Sequence, residues 1–190
     1  LAAFKNGNWQ DSLGFTALKA SQDNVRTAES YEGSGQSNYS LTENNYLFGA
    51  LDYLSDRFSG YDKRTTEVVG YGRRLLNSDT QQLGVELGVG AIQTHYTDDT
   101  SESGLIERLA LNYLWQFSEK SNFSENLSVE HDTDNDFTQS VTALTPTLAG
   151  DLALSVSYTV NHTSMVLAGF KNTATITAIL KHFGRIDGLV

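Results

Sequence analysis

The chain has no cysteine and a single proline, Pro146. Without cysteine there are no disulfides and no thiolate metal sites, and the redox compartment cannot be read from cysteine usage. Basic residues are scarce as well: 13 Lys+Arg stand against 23 Asp+Glu, a formal net charge of -10, with no basic cluster. That balance argues against nucleic acid as a partner, because neutralising phosphates takes clustered cations. No apolar run approaches the roughly 18 residues that a transmembrane helix needs. The N-terminal LAAFKNGNWQ lacks the basic-then-apolar layout of a signal peptide. The helical period of 3.6 is nearly absent. None of this makes the chain a water-soluble protein, since membrane strands need only about 9 to 11 residues with alternate ones apolar. That alternation averages out in a mean hydropathy of -0.33.

What the chain does contain is alternation with a period of two. LGVELGVGA (83–91) sets Leu83, Val85, Leu87, Val89 and Ala91 against Gly84, Glu86, Gly88 and Gly90, so one face is apolar and the other nearly bare around a single carboxylate. The same alternation predicts ten strands, near residues 8–20, 26–41, 45–57, 63–76, 81–96, 104–118, 121–131, 137–148, 151–163 and 172–183. Connections alternate too. TENN, NSDT, SEKS and AGD are tight, whereas YDKR, TDDTSES and HDTDND are longer and charged. Short turns at one end and longer polar loops at the other are the layout of an outer-membrane barrel with both termini on the periplasmic side.

Alternation alone fits a soluble barrel equally well, with the apolar face turned inward. Three features favour lipid. The strands exceed the globular mode of about 5 to 6 residues. The polar faces are rich in Gly, Ser, Thr and Asn. Aromatics sit near strand ends, where Trp9, Tyr46, Tyr96, Trp115, Phe117, Phe123 and Phe137 are expected to form two interfacial girdles. A sheet survives in hydrocarbon only if it closes and leaves no unpaired edge. The expected fold is therefore all-β, one ten-stranded antiparallel transmembrane β-barrel over residues 1–190, with short periplasmic turns and longer polar outer loops.

Three segments carry a resemblance: residues 46–76, 83–91 and 108–130. They contain a D-R-F-x-x-Y step (Asp56, Arg57, Phe58, Tyr61), a G-Y-G-R turn (Gly70 to Arg73) and an E-x-G-x-G strand (Glu86, Gly88, Gly90). In this succession the chain resembles the YdiY-like family of salt-induced outer-membrane proteins, built on a domain of unknown function. The resemblance implies a barrel of the bacterial outer membrane. It also implies contact with outer-membrane lipid and lipopolysaccharide, and with the barrel-insertion machinery during biogenesis. It covers nearly all of the chain up to about residue 163 and implies no cofactor. The last thirty residues depart from the pattern: the final strand reaches Phe183 and continues as GRIDGLV, so residues 184–190 read as an extension, and SMVLAGF (164–170) is apolar for an outer loop.

Candidate functional residues lie on the polar faces. Glu86, Arg108 and Glu130 fall inward on three successive strands, and Arg73 or Arg74 on the strand before them. Charges inside a narrow barrel are tolerated when paired or hydrated, so this set reads either as an ion-pair network plugging the lumen or as a selectivity ring for a small pore. Ten strands enclose little more than side chains fill, which favours the plug. In HDTDND, Asp132, Asp134 and Asp136 alternate like the start of a calcium loop, but its glycine and late glutamate are missing, and a solvated acidic loop is the better reading. Two hydrolase alternatives are weaker. His95 with Asp98 and Asp99, and His131 with Asp132, would be the Asp–His pairs of an outer-rim protease. His162 and Ser164 would be the dyad of a lipid A deacylase, but the last strand supplies no carboxylate to orient the histidine. The expected role is non-enzymatic: a structural or stress-induced envelope barrel, or a narrow pore for ions or small solutes. A hydrolase at the outer rim and a soluble barrel binding an apolar ligand are the alternatives.

Overall fold

The alternating segments form one antiparallel sheet of twelve strands in a computed structural model that describes residues 2–22, 25–56, 61–119, 121–133, 135–149, 152–164 and 172–182. In chain order they are β1 (Ala2–Asn6), β2 (Trp9–Gln22), β3 (Val25–Ser40), β4 (Asn45–Asp56), β5 (Tyr61–Asn77), β6 (Gln81–Tyr96), β7 (Ser101–Ser118), β8 (Ser121–His131), β9 (Asp136–Thr145), β10 (Thr147–Ala149), β11 (Leu152–Thr163) and β12 (Thr173–His182). From β1 to β9 each strand pairs with the next, and β11 pairs with both β9 and β12.

Two short strands were not expected from the sequence. Residues 2–6 fold back on β2 through a turn at Gly7, whose φ of 59° is the left-handed conformation that glycine adopts without strain. Pro146 splits the expected strand 137–148 into β9 and β10. It has no N–H to give the ladder, while its carbonyl still accepts from Leu154 N at 3.1 Å. The ten long strands otherwise match the expected segments within a few residues. The expected closure is not seen: among the described residues no ladder joins β12 to β1 or β2. Arg57, Phe58, Asp134, the segment 165–171 and the extension 184–190 with Phe183 lie outside the described residues.

The sheet is nevertheless strongly curled. Neighbouring strands are about 4.8 Å apart, so strands three apart in a flat sheet would be separated by about 14 Å. Arg64 on β5 meets Glu130 on β8 at 2.7 Å, and Arg108 on β7 meets Asp52 on β4 at 2.6 Å. Residues of β2 and of β9 line one cavity.

Polarity across this curl is the reverse of a water-soluble sheet. On β6, Leu87 and Val89 are 64% and 61% exposed, while Glu86 between its apolar neighbours is 4% exposed. Leu105, Leu109, Val69, Leu51 and Ile176 continue the exposed apolar surface; Arg64, Thr66, Glu130 and Ser155 are buried. An outer face of that composition is suited to hydrocarbon. Leu87→Arg is expected to destabilise the protein in bilayers by about 2–4 kcal/mol, the cost of a cation on the lipid face near the midplane. On a water-facing surface the same change would stay within about 0.5 kcal/mol. Urea unfolding in lipid vesicles distinguishes the two.

Part of the expected aromatic belt is present at the tight-turn end. Trp9 and Tyr39 pack in a tilted pair with ring centroids 5.0 Å apart, and Trp115 with Phe117 edge to face at 5.7 Å. Tyr71, also exposed, joins them. Tyr46 and Phe137 do not belong to it: both rings point into the concave side, at 5% and 8% exposure. In the four-residue turn before Tyr46, Thr42 and Asn45 hydrogen-bond one another. That fixes β4 in the phase that turns Tyr46, Phe48, Ala50 and Asp52 inward and Leu47, Leu51 and Tyr53 outward.

Candidate functional site

The concave interior is organised in two halves. Toward the tight turns, Tyr46 and Phe48 cross from β4 over β5 and β6. They can do so because the inner wall there is glycine. A Cβ at Gly72 would collide with the Tyr46 ring, and one at Gly88 would come within 2.6 Å of Val68 Cγ1 and 3.1 Å of Phe48 Cζ. The bare positions are thus filled by aromatic rings, a recognised way of stabilising glycine in sheets. Val68, Ile92 and Ile106 complete the apolar cluster, with Ala50 packed against it.

A hydrogen-bonded group closes this end. Tyr46 Oη donates to Glu86 Oε1 at 2.8 Å, and Gln36 Nε2 donates to the same oxygen at 2.8 Å and to Asn38 Oδ1 at 3.0 Å. The Arg74 guanidinium lies 4.8 Å from the centre of the Tyr46 ring and donates to the Glu43 carbonyl of the adjoining turn. Glu86 is therefore satisfied by neutral donors from β4 and β3, two and three strands away.

Toward the longer loops the interior holds charge instead. Arg64 and Glu130 form an ion pair of 2.7 Å with side chains 7% and 8% exposed, and the guanidinium sits 4.0 Å from the centre of the Phe137 ring. Arg108 pairs with Asp52 at 2.6 Å, with side chains 14% and 36% exposed. Its Nε is buried without a hydrogen-bond partner among the described residues. Between these pairs lies a cavity of about 290 Å³ whose lining includes Glu32, Asp52, Arg64, Arg108, Glu130 and Gln139.

Of the residues singled out by the sequence, Glu86, Arg108, Glu130 and Arg74 face this interior, but they do not bond to one another. Arg73 is a correction: it lies on the exposed face, because Gly72 and Arg74 take the inward positions of β5. Sequence reasoning missed Arg64, Asp52, Glu32 and Gln36, and misplaced Tyr46 and Phe137. The signal for Arg64 was available, since it shares parity along β5 with Val68, Gly70 and Gly72.

The loop candidates are occupied by their own turns. Asp132 accepts from Asn135 N at 2.8 Å, and Asp136 pairs with His131. No group of three or more potential metal ligands exists among the described residues. His95 Nδ1 lies 2.7 Å from Ser101 Oγ, while Asp98 accepts from the Thr100 hydroxyl and N–H, which lower its pKa. Ser164 Oγ donates to Asn135 Oδ1 at 2.8 Å and accepts from Asp136 N at 2.8 Å, and His162 is exposed on the outer face.

His131 ends β8 at the long-loop end, and its bond to Asp136, reinforced by that carboxylate's charge, raises its pKa above the ordinary 6.5. With a raised folded value, the contact contributes fully below the unfolded pKa and is lost as pH rises through the folded one. An NMR titration of the imidazole is expected to give a midpoint above 6.5 that falls in Asp136→Asn. An unchanged midpoint would show that the pair does not form.

The sequence matches the DUF481 protein family, described as of unknown function, over residues 3–180. The chain belongs to the DUF481 family. Among curated proteins it is 33% identical over 153 residues to the uncharacterized protein YdiY of Escherichia coli (strain K12), covering 80% of this chain and 60% of YdiY. The DUF481 chain thus spans about 60% of the length of that relative. Its fold is similar to that of the NanC porin in a solved structure, with a TM-score of 0.52, 9% identity and 91% of each chain covered. That likeness is one of fold alone, a porin-like antiparallel sheet.

Proposed function

We propose that this DUF481 chain is a non-enzymatic β-barrel of the bacterial outer membrane, closing β12 against the edge formed by β1 and the remainder of β2, with its lumen plugged at the periplasmic end. It is a structural barrel with an outward-opening vestibule, in contact with lipopolysaccharide, rather than an open diffusion channel. The observation that carries this reading is the Tyr46–Glu86–Gln36 group with Phe48 beneath it, which fills the tight-turn half with rings seated on glycines. Exposed Leu87, Val89 and Leu105 support the membrane, and the YdiY kinship and the porin-like fold support the outer membrane. A salt-stress role in the envelope follows from the family resemblance and is part of the proposal. A narrow, gated pore for small ions is the second reading, favoured by the charged cavity on the far side of the plug.

The experiment is planar-bilayer recording with the purified, heat-modifiable barrel. Silence is expected. Steady steps from the native protein would overturn the plug and establish the pore, and a freely soluble monomer without detergent would overturn the membrane assignment.

A further inference from the structure

We propose that the cavity in the outer half of the interior is a binding site for a small organic cation, with Glu32 as the carboxylate that receives it. The inference rests on the curled fold and does not depend on whether the lumen conducts.

The cavity, about 290 Å³, is near the lower end of the range for small-molecule sites and is walled by seven of the strands. Among the described residues its lining holds three carboxylates, Glu32, Asp52 and Glu130, against two guanidiniums, Arg64 and Arg108. Each guanidinium has a carboxylate partner, Arg64 with Glu130 at 2.7 Å and Arg108 with Asp52 at 2.6 Å. Arg64 is held further by the face of Phe137 at 4.0 Å. Glu32 is the carboxylate left over. Its register partners are Thr16 on β2 and Leu54 on β4, neither of which carries charge. A recess with walls of low dielectric focuses that excess and concentrates cations within it.

The chemistry of the walls selects among cations. A divalent metal ion wants several oxygen ligands at once, and the described residues bring no such group together. A primary ammonium needs one carboxylate and a few neutral acceptors, with room for its carbon chain. Glu32 supplies the first, Ser34, Thr66 and Gln139 the second, and Leu54 lines the same space.

The test uses propylammonium, with propionate and propanol as anionic and neutral probes of the same size, titrated into the detergent-folded barrel at constant ionic strength and followed by calorimetry. Propylammonium is expected to bind and the other two not to. Glu32→Gln is expected to weaken the ammonium at least tenfold. Glu107→Gln, which removes an equal charge from the exposed face, is expected to leave it unchanged. Retained heat-modifiable migration certifies that each variant is folded. Absence of propylammonium binding, equal binding of propionate, or an equal loss in Glu107→Gln would each overturn the site.

Discussion

Combining Tyr46→Ala with Phe48→Ala is expected to convert a barrel silent in planar bilayers into one with resolvable, stepwise conductance. Both rings lie across the bare inner wall made by Gly70, Gly72 and Gly88. Removing the rings leaves Glu86 and Gln36 facing an open passage and strips Glu86 of its Tyr46 donor. Truncating a buried aromatic costs about 3–5 kcal/mol in well-packed cores, so the variant must be shown to retain heat-modifiable migration before it is recorded. Glu86→Gln in the opened background is expected to reduce the preference for cations, read as a shift of reversal potential in a salt gradient. If the doubly truncated, folded barrel stays silent, the plug lies elsewhere. The vestibule of Arg64, Arg108 and their carboxylates would then be the next place to open.

Breaking the Arg64–Glu130 pair is expected to have the largest effect on stability. Both side chains are more than nine-tenths buried, and removal of one partner from such a pair leaves an uncompensated charge, costing about 3–5 kcal/mol. Arg64→Met alone and Glu130→Leu alone should each show that loss in urea unfolding from lipid vesicles. The double variant should recover most of it, because the penalty is that of a stranded charge rather than of the missing attraction. Arg108–Asp52 provides the comparison within the same cavity. Asp52 is 36% exposed there and Arg108 already carries an unpartnered Nε, so Asp52→Asn is expected to cost only about 1 kcal/mol. Equal losses at the two pairs would mean that burial does not set their energetics.

The pairings explain why the site was only half legible. A period of two assigns every side chain of a strand to one of two faces, and it placed Glu86, Arg108 and Glu130 on the polar one. It carries no information on partners. Arg108 and Glu130 are opposite one another in the β7–β8 register, the pair that sequence reading would join. The structure instead sends Arg108 to Asp52 and Glu130 to Arg64, each three strands away. Curvature is the reason: inside a tightly curled sheet, side chains converge across the interior more closely than they meet along its wall. The same convergence drew Tyr46 and Phe137 inward, where position near a strand end had suggested a girdle.

By itself, then, the sequence determined the strands, their antiparallel succession, the tight and long connections, and which face of each strand is apolar. These are local properties, written in the alternation of side chains and in tight polar turns such as TENN and NSDT. Only the tertiary structure decided what fills the interior. LGVELGVGA shows the division: alternation put Leu87 and Val89 on one face and Glu86 on the other, and the structure turned the first outward and the second inward. That the glycines are seats for Tyr46 and Phe48, and that Glu86 is held by Tyr46 and Gln36 rather than by an arginine, depended on the curl and stagger of strands far apart in the chain. No local pattern encodes that stagger, because it is set by the summed register of many ladders at once.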